Sequence, residues 1–157
     1  MKNPGLGGPG LTAAKVTCNR DGDTPSPSCS SCDSAADAAF KTRAQNAKDL
    51  KSGAFLTEFG ACADSDSCVA EINRMTKRAD EQMHSWAYWQ FKYYDDITTE
   101  SGPIESFYQV NGAIQNKKVN ALTRTYAPAV AGTPQHFFYE PDHGSFRLVY
   151  DATSATA

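Results

Sequence analysis

The chain has 157 residues, 40% of them hydrophobic, and a formal charge of −3. That length suffices for one ordinary globular domain, and the scattered Lys and Arg form no basic stripe to neutralise phosphates, which argues against a nucleic-acid binder. No apolar run approaches the ~18 residues a membrane span needs, and Met1-Lys2-Asn3-Pro4-Gly5 has no apolar core behind it, so no secretory signal is read there.

Residues 1–35 lack apolar periodicity and are broken by Pro4, Pro9, Pro25, Pro27 and several glycines, so they read as a low-order loop or a non-native segment. The odd cysteine count (Cys18, Cys29, Cys32, Cys62 and Cys68) leaves at least one without a partner in the chain. Cys29 and Cys32 have metal or redox spacing. They sit among Ser, Pro and Asp with no second ligand pair, which favours disulfide chemistry in an oxidising compartment.

A helix is predicted over residues 35–51, with Ala36, Ala39, Phe40, Ala44, Ala47 and Leu50 on one stripe and Gly53 as its cap. The run Ala54-Phe55-Leu56-Thr57-Glu58 then reads as a short buried strand that delivers one carboxylate to its end before Gly60. Glu58 is therefore at the rim of a pocket, paired, or simply facing water. A helix starts near 65–67, with Val69, Ile72, Met75, Ala79 and Met83 inward. A Cys62–Cys68 disulfide would pin the loop after Glu58 to that helix.

Residues 85–94 are dense in aromatics and read as a second strand, with Trp86, Tyr88 and Gln90 on one face and Ala87, Trp89 and Phe91 on the other. Asp95, Asp96 and Glu100 follow in a polar loop as the other acids near that strand end, and 104–109 reads as a short helix or strand. A helix over 116–130 would place Val119, Leu122, Tyr126 and Val130 inward, with Pro128 kinking or ending it. Phe137-Phe138-Tyr139, a turn at 141–144 and Phe146 to Tyr150 form a hairpin.

The alternation implies an α/β protein with parallel strands, and two such strands cannot close a core alone. The expectation is therefore part of a larger α/β enzyme, with a β-rich domain starting near residue 135. Catalytic groups in β/α barrels stand at strand C-termini, and a carboxylate facing an indole suits a sugar. Core packing is the competing reading for Trp86 and Trp89.

The blocks Phe55-Leu56-Thr57-Glu58-Phe59-Gly60, Trp86-Ala87-Tyr88-Trp89-Gln90-Phe91-Lys92, Asp96-Ile97-Thr98-Thr99 and the run from Ala121 to Gly132 resemble, in order and spacing, the closing part of an endoglycoceramidase of glycoside hydrolase family 5. The resemblance covers roughly residues 36–134. It implies the last β/α units of a (β/α)8 TIM barrel over that range, followed by the first strands of a β-sandwich over 135–157. Glu58 falls where the family keeps its nucleophile, and Trp89 where an aromatic holds the cleaved sugar. Trp86 and Lys92 complete the candidate substrate-binding set.

The implied reaction is retaining hydrolysis of the bond between glycan and ceramide, or of a simpler β-glycoside, with no metal or organic cofactor. An extracellular or lysosomal setting follows from the resemblance and the cysteines. Phe91, Tyr93 and Tyr94 could offer an apolar groove for peripheral lipid contact. The sequence departs from the family in one respect: it holds no Asn-Glu dipeptide, where the family keeps its acid/base. The isolated chain is accordingly expected to be inactive, and a non-catalytic glycolipid-binding remnant is the alternative.

Overall fold

The computed structural model describes residues 29–60, 62–93 and 105–153. In chain order the elements are α1 (Cys29–Asp49), β1 (Phe55–Gly60), α2 (Asp66–Glu81), β2 (Ser85–Trp89), α3 (Asn116–Leu122), β3 (Gly132–Glu140) and β4 (Ser145–Ala152). They build two separate two-stranded sheets. β1 and β2 pair in parallel across the α2 crossover, and β3 and β4 pair antiparallel.

α1 begins earlier than its periodicity predicts, so Cys29 to Cys32 form its first turn rather than a loop. Cys18 lies outside the described residues. Ala36 and Phe40 are buried and Ala44 and Ala47 half-buried, whereas Ala39 faces solvent. Lys51, not Gly53, takes the left-handed cap position, at φ 51°. The Ser52 N–H closes the helix by donating to the Ala47 carbonyl at 2.9 Å. Leu50 therefore leaves the stripe and is 75% exposed.

α2 starts where Ser65 caps it, its hydroxyl accepting from the Cys68 N–H at 3.2 Å. Ile72, Met75 and Ala79 bury its apolar face, and Phe40, Phe59 and Ala121 complete the core. Met83 lies beyond the helix, exposed, with φ 55°. Arg78 fastens α2 to α1 through Asp37 (2.7 Å) and Asp33 (3.0 Å), and Arg74 adds a second contact to Asp33 at 3.1 Å. The Cys62–Cys68 disulfide is present and ties the loop after β1 to the first turn of α2.

β1 carries a bulge. Leu56 is in register with Trp86 and Phe59 with Tyr88, so Thr57 and Glu58 together oppose Ala87. A regular strand would send Leu56 and Phe59 to opposite faces. The extra residue puts both against the same core and leaves Thr57 and Glu58 exposed together. β1 is thus not the fully buried strand that its composition suggests.

α3 ends at Leu122, well short of Pro128, with Thr123 already extended. Its buried side chains are Lys118 and Ala121, while Tyr126 is 67% exposed. The early stop has a tertiary cause. Arg124 turns inward, donating to the Thr76 hydroxyl at 2.9 Å and pairing with Asp80 on α2. Its guanidinium also lies 4.8 Å from the centroid of the Tyr139 ring on β3. β3 begins at Gly132 and bulges at Gln135, beside Pro134, which has no N–H to give the ladder.

Candidate functional site

The parallel register brings Gly60 opposite Trp89 and Phe59 opposite Tyr88. Phe59 meets Trp86 and Tyr88 edge-on in the core, at 5.6 and 5.7 Å between ring centroids. Glu58 precedes Phe59 and is exposed, and Trp89 follows Tyr88 and is half-buried, so both lie at the same end of the sheet. Gly60 has φ +118°, and a Cβ there would overlap the Tyr88 ring and come within 2.9 Å of the Trp89 carbonyl oxygen. Glycine therefore allows β1 to approach β2 closely at the end that carries Glu58 and Trp89.

β2 stops at Trp89, whose peptide bond to Gln90 is cis. The Trp89 indole Nε1–H donates to a Glu105 carboxylate oxygen at 2.9 Å. Glu105 is only 7% exposed. Its carbonyl accepts from the Tyr88 hydroxyl at 3.1 Å and from the Gln90 N–H at 3.3 Å. Ser106 follows, its carbonyl accepting from Gln115 Nε2 at 2.6 Å and from Lys118 Nζ at 3.1 Å. Burial pushes the Lys118 ammonium down to about 8, opposed by the nearby Asp64 and Glu105. Burial, with the charges of Glu105 and Asp64, raises the Tyr88 phenol above its ordinary range, so it remains a donor.

Of the residues singled out in the sequence, Glu58 and Trp89 share one sheet end. Trp86 instead packs against the core and hydrogen-bonds Asp80. Lys92 lies exposed just past β2. Asp95, Asp96 and Glu100 lie outside the described residues, as do Tyr94 and the block 96–99. The acid beside the strand end that sequence reasoning passed over is Glu105. Its segment forms bends and a single bridge, Tyr108 to Ile114, rather than a helix or strand. No local periodicity marked it. The one available signal was a lone Glu between Ile104 and Ser106, just after the Gly102-Pro103 break.

His84, which follows α2, is 8% exposed and stacks on Phe40 at 5.6 Å, and burial lowers its pKa. Among the described residues no cluster of His, Cys, Asp or Glu is placed to hold a metal ion, and no helix is long and apolar enough to cross a membrane.

A carboxylate and an indole at the ends of adjacent parallel strands can bind a sugar, and comparison with known proteins points to the same class, the glycoside hydrolases. The chain is 29% identical over 116 residues to an endoglycoceramidase of Cyanea nozakii, covering 73% of this chain and 23% of that protein. It is also 29% identical over 116 residues to an endoglycoceramidase of Hydra vulgaris, covering 74% of this chain and 21% of that protein. The chain is thus distantly and partially related to endoglycoceramidases, and spans less than a quarter of the length of these curated relatives. No family model matches it, and no solved structure does.

Proposed function

We propose that this chain carries the nucleophile side of a retaining glycoside hydrolase of family 5 type that cleaves glycan from ceramide in glycosphingolipids. The observation that carries the reading is that Glu58 and Trp89 lie at the same end of a parallel two-stranded sheet, in a chain distantly similar to two endoglycoceramidases. In this reading β1 and β2 are the seventh and eighth strands of a (β/α)8 barrel, residues 36–134 are its last units, and residues 135–157 open a β-sandwich. The disulfide supports an oxidising setting, extracellular or lysosomal.

Glu58 attacks the anomeric carbon and forms a glycosyl-enzyme as the bond to the ceramide oxygen breaks, while Trp89 stacks on the apolar face of the sugar that stays bound. The leaving oxygen needs a proton from a second carboxylic acid. No Asn-Glu dipeptide stands in these 157 residues. Glu105 is committed to the Trp89 indole. That lack favours a second reading, glycolipid binding without turnover, for the chain on its own.

Both readings meet in one assay. Purified chain is mixed with vesicles that contain fluorescent glucosylceramide, and sedimentation and headgroup release are followed together. The chain is expected to sediment with the glycolipid vesicles and release nothing, and Trp89→Ala is expected to weaken sedimentation. Release by the chain alone would contradict the missing-acid account. Failure to sediment would contradict both readings.

A further inference from the structure

We infer that Glu105 is a positioning residue for Trp89, its carboxylate fixing the indole so that the ring stands as a rigid platform beside Glu58. The inference rests on the reading of Trp89 as the sugar-stacking residue.

The indole has one donor, and the Glu105 carboxylate takes it in the plane of the ring. A bond at that edge holds the ring against rotation and leaves its faces uninvolved. The acceptor is itself held from two sides. From β2 come the Tyr88 hydroxyl and the Gln90 N–H, both on the Glu105 carbonyl. From the α3 side come Gln115 and Lys118, both on the carbonyl of the next residue, Ser106.

A carboxylate this deeply buried is costly unless compensated. The fully buried Lys118 is a cation near enough to interact with it. The arrangement does not contribute to the apolar core, since Trp89 and Glu105 are outside it. Donation to a charged acceptor is stronger than to a neutral one and enriches the ring's face in electron density. That suits the electron-poor C–H face of a pyranose and the positive charge that develops at its anomeric carbon.

The test uses the full chain with isotope-labelled tryptophan. Trp89→Phe assigns one of the two indole N–H resonances. In the wild type the Trp89 indole proton is expected far downfield and slow to exchange with solvent. Glu105→Leu should move it to the position of a water-exposed indole, and Glu105→Gln should move it part of the way. Lactose titrated into the same samples should bind about tenfold more weakly to Glu105→Leu than to the wild type.

An unchanged Trp89 resonance in a folded Glu105→Leu chain would overturn the inference. Should that variant fail to fold, the wild-type exchange rate decides: exchange as fast as that of a free indole would overturn it, and protection would support it. If lactose binds no sample while the resonance moves as expected, the positioning role stands and the glycan reading fails.

Discussion

Arg124 and Asp80 form an ion pair whose side chains are 5% and 3% exposed, and it joins α2 to the segment that follows α3. Burial raises the Asp80 carboxyl to about 6, with Arg124 and the Trp86 indole holding it down. Arg124 also bonds Thr76 and lies over Tyr139, so one side chain couples the parallel sheet's helix to the hairpin. Arg124→Met should cost about 3–5 kcal/mol in urea unfolding, because it strands a buried carboxylate. The double variant Arg124→Met with Asp80→Leu should cost clearly less than the sum of the single changes. Additive losses would show that the pair is not coupled.

Gly60→Ala tests the close approach of β1 to β2. Its φ of +118° and the overlap of a Cβ with the Tyr88 ring both oppose any side chain. The expected loss is about 1–3 kcal/mol, typical of overpacking, and it should come with a shifted Trp89 environment in near-ultraviolet circular dichroism. Gly53→Ala, where a Cβ meets nothing within 4 Å, serves as the control and should be nearly neutral.

The Cys62–Cys68 disulfide closes a short loop, with a sequence separation of 6. Loop-closure entropy for so short a span gives about 2 kcal/mol. Melting with and without reductant should differ by that amount in the wild type. The difference should be smaller by that amount in Cys62→Ser with Cys68→Ser.

His84 supplies a pH dependence with a definite sign. Burial lowers its pKa below the ordinary 6.5, so the unfolded chain takes up a proton first as the pH falls. Stability attributable to His84 is therefore present above that value and lost as the pH drops below it. Asp80, raised to about 6, acts with the opposite sign, since its contribution is lost as the pH rises through that value. The comparison of His84→Phe with the wild type isolates the histidine. The variant keeps the stack on Phe40 and should lose less stability between neutral and mildly acidic pH. Equal losses would contradict a buried neutral ring.

Much of the parallel unit was legible in the sequence because its signals are local. Ser65 reads as a cap three residues ahead of the N–H it accepts, and the stripe from Val69 to Ala79 repeats with the helix. The β1 bulge was not legible. Nothing in Phe55 to Gly60 marks an extra residue, which appears only in the pairing with β2. The burial of Lys118 and Arg124 was not legible for a related reason. Long cations are mostly exposed, whereas here their partners, Ser106 and Asp80, are supplied by distant chain. Glu105 was hidden because its meaning lies in Trp89, which it contacts across a segment with no periodicity.

Covalent trapping puts the role of Glu58 most directly to the test. A dinitrophenyl deoxyfluoro-β-lactoside carries a leaving group that departs without an acid, so it needs a nucleophile and no partner carboxyl. Mass spectrometry after incubation with the intact chain should find one glycosyl group on the peptide that contains Glu58. The same treatment of Glu58→Gln should find none. An unlabelled wild-type chain, or a label on any other carboxylate, would contradict the assignment of Glu58 as the nucleophile.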